Sequence, residues 1–275
     1  MKSVYGNRPS FVNQPRPGTV CVITEPTPAA CRAVIRNGEC NGATGFDLHL
    51  RVLEYQYQTE EVLKDLILGS YLPIMTLVYR DENNEHGMGG LSDEDLAATQ
   101  ILAAKCGVSA CDIMGDFFDR GAENQFTEDE KAVSKQKRLF DDLHEKGAEV
   151  IMSTHIWKPM SSEQILEHMK KLEDRGADMI KIAYRINTED EMIESMKSTV
   201  LLRRELKKPF IQIAMGQYGK LLRILSPILG SAITFCVNEY TPTNHKEQPL
   251  LKNTRTVYDN LDWRISRNIE NISLM

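Results

Sequence analysis

One lysine stands apart among the side chains able to do chemistry. Lys181 lies inside Asp178–Ala183 (DMIKIA), an apolar run in which an ammonium loses hydration unless it is paired or neutral. Two readings suit it. One is an ion pair with Asp47 or Asp112. The other is a Schiff-base nucleophile, whose neutral amine is favoured by an apolar or cation-rich pocket. Arg51, Arg80 and Arg223 are the cations that would supply such a field. His155 follows the preceding apolar run, Glu149–Thr154 (EVIMST). It is either a satisfied histidine at a strand end or the proton carrier that an imine, and the removal of a proton beside it, would require. Arg223 closes the segment Met215-Gly216-Gln217-Tyr218-Gly219-Lys220-Leu221-Leu222-Arg223. Two glycines let backbone approach a ligand, and an arginine just beyond suits bidentate carboxylate binding. A solvated helix arginine is the plainer alternative.

The elements around these residues explain how they would meet. Short β-branched runs at residues 19–24, 45–52, 73–79, 108–114, 149–154, 178–183, 209–215 and 231–236 alternate with amphipathic stretches. Ser92, Thr127 and Ser161, each followed by acids or glutamine, read as helix starts, and Gly147 and Gly176 as helix stops. Eight strand–helix units predict parallel pairing and closure into an α/β fold, the (β/α)₈ TIM barrel. Strand parity then sorts the faces. Asp47, His49 and Arg51 share one face of the second strand, opposite Phe46, Leu48, Leu50 and Val52. Ile151, Ser153 and His155 align on the fifth strand, and Met179, Lys181 and Ala183 on the sixth. Gln212, Ala214 and Gly216 align on the seventh, and Arg80 ends the third. Ionisable groups therefore project inward at the C-terminal face, where barrel enzymes build their sites.

Composition limits the rest. The chain has 275 residues, 41% hydrophobic and 26% charged, which is one barrel's worth of ordinary soluble protein. Residues 1–18 read as a loose, polar N-terminal arm, 19–262 as the catalytic barrel and 263–275 as a C-terminal tail. Mean hydropathy is −0.36, and no apolar run approaches the roughly 18 residues that span a bilayer. Without a signal-peptide core, the expected location is the cytoplasm. The net charge of −6 argues against nucleic-acid binding. The acid in Asn238-Glu239-Tyr240, after the eighth strand, argues against a phosphate there. Cys21, Cys31, Cys40, Cys106, Cys111 and Cys236 form no CxxC pair and read as core residues or free thiols. No metal motif, P-loop or GxGxxG is present, so no cofactor is expected.

These residues resemble type I 3-dehydroquinate dehydratase. The matching segments are Ser153-Thr154-His155, Gly176-Ala177-Asp178-Met179-Ile180-Lys181-Ile182-Ala183, Met215-Gly216-x-x-Gly219-x-x-x-Arg223, Gly230-Ser231-Ala232-Ile233-Thr234-Phe235 and Phe46-Asp47-Leu48 with Arg51. The resemblance implies a barrel, a homodimer, no metal or organic cofactor, and a small anionic keto acid as substrate. It implies syn elimination of water from 3-dehydroquinate to 3-dehydroshikimate in the shikimate pathway. Lys181 would form the imine, His155 would move protons, and Arg223 would hold the substrate carboxylate. Arg51 and Arg80 would contact ring hydroxyls, and Gln248 matches the family's loop glutamine. The segment departs from the family pattern at His49, which stands where an acid is usual, and at Thr243, which stands where a serine is usual. In the lengthened loop after Arg80, Glu82 or Glu85 is the candidate acid. The Lys–His machinery is kept while the hydroxyl-recognising shell is altered. Two alternatives stay open: a related class I Schiff-base lyase or aldolase on another carboxylated keto compound, and a non-catalytic barrel that binds a small acid.

Overall fold

A computed structural model describes residues 1–80, 89–241 and 246–261. Eight strands alternate with helices: β1 (Gly18–Ile23), β2 (Gly45–His49), β3 (Ile74–Leu77), β4 (Ala110–Met114), β5 (Glu149–Ile156), β6 (Met179–Arg185), β7 (Phe210–Met215) and β8 (Ile233–Cys236). The helices are α1 (Pro28–Cys40), α2 (Glu60–Leu68), α3 (Asp93–Lys105), α4 (Glu130–Glu145), α5 (Ser162–Arg175), α6 (Glu189–Glu205), α7 (Gly219–Leu229) and α8 (Leu251–Asp259). The sheet order is β7-β6-β5-β4-β3-β2-β1-β8, with every pairing parallel. This is a (β/α)₈ barrel, as the alternation predicts. Among the described residues β7 and β8 share no ladder, so the barrel carries one seam.

Local chemistry starts the helices where expected, with one shift. Ser92 and Ser161 form capping boxes with Asp95 and Gln164. Thr127 is not the cap of α4; Asp129 is, accepting from the N–H groups of Lys131 and Ala132. A carboxylate reaches those donors and also favours the positive helix end. Gly176 ends α5 at φ +114, a left-handed position that glycine adopts without strain.

The strands are buried on both sides, which is why they read as near-continuous apolar runs. One apolar layer lies between sheet and helices, including Phe46, Leu48, Ile180, Ile182 and Leu172. A second fills the barrel, including Val20, Met75, Ile151, Met179, Ile211 and Phe235. Gln212 faces outward and donates to Tyr184 Oη and Ser198 Oγ, leaving Ile213 and Met215 facing the interior. The N-terminal segment is not loose: Phe11 is fully buried within the inner layer. The six cysteines are free thiols, and only Cys40 is exposed. No helix among the described residues is long and apolar enough to cross a membrane.

Candidate active site

The C-terminal strand ends open into a cavity of about 490 Å³. Its wall takes Asp47, His49 and Arg51 from β2 and the turn behind it, and Tyr79 and Arg80 from the end of β3. His155 comes from β5, Lys181 from β6 and Arg223 from α7. Pairing in register sets Ser153 opposite Lys181 and His155 opposite Ala183, so the lysine and histidine point the same way on neighbouring strands.

Lys181 is buried, and its Nζ lies 2.8 Å from Asp112 Oδ2. The same ammonium donates to Tyr79 Oη at 3.3 Å. Burial by itself would push its pKa down, but the carboxylates of Asp112 and Asp47 outweigh it, and the net shift is upward. The expected cation field therefore does not neutralise this lysine. Acids reaching it from β4 and β2 hold it protonated.

His155 is held the other way. Its backbone N–H donates to Gln125 Oε1 at 2.8 Å. A backbone N–H can only donate, so the Gln125 amide turns its oxygen to the histidine. His155 Nδ1 lies 3.0 Å from that oxygen and therefore carries the ring proton. Nε2, 3.1 Å from Tyr79 Oη, keeps its lone pair. Burial, with the charges of Lys181 and Arg223 adding to it, pushes the His155 pKa down to about 3. Gln125 sits in a 3₁₀ turn (Glu123–Gln125) in which Asn124 and Gln125 have φ of +56° and +53°, values that persist only where the surroundings hold them. Gly115 leaves that turn room, since a Cβ there would stand 2.5 Å from the Gln125 carbonyl.

Arg223 is buried in the opposite wall, its Nη2 3.6 Å from Glu247 Oε2. Glu247 Oε1 also accepts the Gly216 N–H at 2.8 Å. Burial draws the guanidinium pKa down to about 10 against the pull of Glu247. Gly216, at φ +98°, is required by packing, because a Cβ would collide with the Ile186 carbonyl.

The hydroxyl-binding candidates divide. Among the described residues Arg51 has no carboxylate partner and lines the cavity. Arg80 lines the cavity and is also committed to carboxylates. Its Nε and Nη2 donate to Asp93 at 2.8 and 2.7 Å, and its Nη1 to Asp116 at 2.8 Å, so it ties β3 to α3 and to the loop after β4. His49 Nε2 lies 3.0 Å from Asp47 Oδ2. Gln248 is buried in the wall. Glu82, Glu85 and Thr243 lie outside the described residues. Among the described residues no group of three or more His, Cys, Asp or Glu side chains is arranged to hold a metal ion.

Sequence reasoning missed Tyr79, Gln125 and Glu247. Tyr79 had a signal: it shares strand parity with Met75 and Leu77, both inward. Gln125 and Glu247 lie on irregular backbone, where parity does not apply.

The sequence profile of type I 3-dehydroquinase matches residues 49–262, more than three quarters of the chain. The chain belongs to the type I 3-dehydroquinase family. A 3-dehydroquinate dehydratase from Klebsiella pneumoniae is 30% identical over 172 residues, covering 62% of this chain and 63% of that protein. One from Alkaliphilus oremlandii is 38% identical over 105 residues, 38% of this chain and 41% of its own length. The chain thus spans less than two thirds of these relatives in alignment. Solved structures agree in fold. A 3-dehydroquinate dehydratase from Geobacillus kaustophilus has a TM-score of 0.72 at 18% identity, covering 90% of this chain and 91% of that one. A type I enzyme from Clostridium difficile, solved with covalently modified comenic acid, has a TM-score of 0.73 at 17% identity, covering 90% and 93%.

Proposed function

We propose that the chain dehydrates 3-dehydroquinate to 3-dehydroshikimate through an imine on Lys181. The observation that carries this reading is the pairing of a buried lysine and a neutral histidine around one phenol oxygen, Tyr79 Oη, inside the barrel mouth. The Lys181 amine attacks the ring ketone, and loss of water leaves a protonated imine, an electron sink that acidifies the neighbouring C–H. His155 Nε2 removes that proton to give an enamine, whose electrons expel the β-hydroxyl. His155 returns the proton so that the hydroxyl leaves as water. Hydrolysis of the imine frees the product and Lys181. Arg223 and the Gly216 N–H hold the substrate carboxylate, and Arg51 and Gln248 face the ring hydroxyls. The proposal extends to a cytoplasmic homodimer acting on a small anionic keto acid, without nucleic-acid or membrane partners.

Borohydride added with 3-dehydroquinate tests residue, chemistry and substrate together. The expected result is substrate-derived mass fixed on Lys181, with ultraviolet absorbance of the conjugated product rising before reductant is added. A folded protein giving neither overturns the reading. A second reading, a Schiff-base lyase acting on a different carboxylated keto compound, is favoured by the engagement of Arg80 with Asp93 and Asp116 and of His49 with Asp47. It expects trapping at Lys181 with another keto acid and none with 3-dehydroquinate.

A further inference from the structure

The proposed chemistry meets an obstacle in the resting site. Imine formation needs a neutral amine, yet Lys181 is an ammonium held by Asp112, while the proton acceptor His155 is neutral. We propose that the Tyr79 hydroxyl is the proton conduit between Lys181 and His155, an assignment that rests on the imine reading above.

The hydrogen bonds run in one direction. Lys181 Nζ donates to Tyr79 Oη at 3.3 Å. Tyr79 Oη lies 3.1 Å from His155 Nε2, and that nitrogen bears a lone pair because Nδ1–H is committed to Gln125 Oε1, whose orientation the His155 backbone N–H sets. The phenol therefore accepts from the lysine and donates to the histidine. Its ring meets the imidazole edge to face, with centroids 5.1 Å apart and planes at 83°. Burial also pushes the Tyr79 pKa up, so the phenol stays neutral and keeps both an acceptor and a donor. Asp112 and Asp47 bear on Lys181, Lys181 and Asp112 bear on Tyr79, and Lys181 and Arg223 bear on His155.

The transfers balance. Lys181 gives one proton to Tyr79 Oη as Tyr79 gives its own to His155 Nε2, leaving a neutral amine, an intact phenol and an imidazolium. With the lysine pKa raised and the histidine pKa lowered, this transfer is uphill in the resting site and is drawn forward as attack on the ketone consumes the amine. The amine attacks the ketone to form a carbinolamine. The imidazolium returns its proton to the departing hydroxyl, which leaves as water. The products are a protonated imine and a neutral His155, ready to remove the adjacent ring proton. Charge is +1 before and after. Asp112, the other neighbour of Lys181, makes no hydrogen bond to His155 among the described residues, so a proton passed to it would leave the histidine with none to give the departing water.

Tyr79→Phe tests this, since it keeps the ring and removes only the oxygen. General acid–base steps contribute about 10²–10⁴ in rate, so a fall in kcat of at least about tenfold is expected, with KM changed by less than about threefold. The rate at which borohydride-trappable imine accumulates on Lys181 should fall in parallel. The bowed solvent-isotope proton inventory expected for wild-type imine formation should become straight in the variant, because two protons no longer move together. Wild-type imine formation in the variant overturns the conduit. So does a slowed variant that keeps the bowed inventory, the mark of a structural role. Absence of any Lys181 adduct in the wild-type protein overturns the imine reading itself. Should Y79F fail to fold, the solvent-isotope proton inventory of imine formation in wild type decides: a bowed plot is expected for two protons in flight, and a straight one overturns the proposal.

Discussion

Glu247 puts a carboxylate where the proposed substrate must place its own. One oxygen accepts the Gly216 N–H at 2.8 Å and the other faces Arg223 at 3.6 Å. The glutamate side chain is 37% exposed, against 8% for the arginine, so it can withdraw into solvent when a stronger anion arrives. Under the carboxylate-binding role proposed for Arg223, every turnover displaces this internal anion. Glu247→Gln keeps an acceptor for Gly216 and removes the competing charge. A part-exposed ion pair contributes at most about 1 kcal/mol, so KM for 3-dehydroquinate should fall up to about fivefold. Steady-state kinetics should show kcat within about twofold of wild type, and an unchanged KM would mean the substrate carboxylate binds elsewhere. The same scale shows what sequence can carry. Parity on β5 and β6 brings Lys181 and His155 side by side from residue types alone. The charge state of the lysine depends on Asp112, 69 positions away, which sequence offered as a partner without deciding between it and the cation-rich alternative. The histidine tautomer depends on Gln125, which lies on backbone with no periodicity.

At the level of elements, the strands and most helix starts were legible, because period-two alternation and capping residues act locally. The N-terminal segment was not, because its partners are remote. Its floor-side contacts are with residues at the N-terminal ends of the strands. Glu149, the first residue of β5, accepts the N–H groups of Phe11 and Val12 at 2.9 and 3.2 Å and the Ser10 hydroxyl. Tyr5 stacks on His144 with centroids 4.1 Å apart and donates to Asp178 at 2.6 Å. A polar stretch with one buried phenylalanine cannot announce contacts 138 residues away. Phe11 is fully buried against the inner layer, so Phe11→Ala should cost about 3–5 kcal/mol. Urea unfolding should show that as a lower midpoint with an unchanged slope. Turnover at 25 °C should hold, since the floor lies at the opposite end of the barrel from the site. An unmoved midpoint would mean that the segment adds nothing to the core.

For the whole molecule, the net charge of −6 conceals a barrel mouth in which three of the four cations predicted from the sequence face carboxylates. Lys181 has Asp112, Arg80 has Asp93 and Asp116, and Arg223 has Glu247, leaving Arg51 without a carboxylate among the described residues. The barrel that holds them is not uniform around its circumference. β5 and β6 are paired over six registered positions. Across the seam the described contacts are sparser: the Gln212 N–H donates to Ser231 Oγ at 3.1 Å, and the Ala232 N–H to the Phe210 carbonyl at 2.7 Å. Local opening follows the regions with least cooperative bonding, so the seam should open before the rest of the wall. It flanks α7, the helix that carries Arg223, which ties this weak line to the proposed carboxylate site. In native-state hydrogen exchange, peptides covering residues 210–215 and 230–236 should exchange ahead of those covering β5 and β6. Ser231→Ala removes the side-chain acceptor and leaves the buried Gln212 N–H without it, at a cost of about 1–3 kcal/mol. That variant should speed exchange at the seam selectively. Exchange that begins at β5 and β6, or that quickens equally everywhere in the variant, would mean that the barrel opens as one unit and that the missing ladder is no weak line.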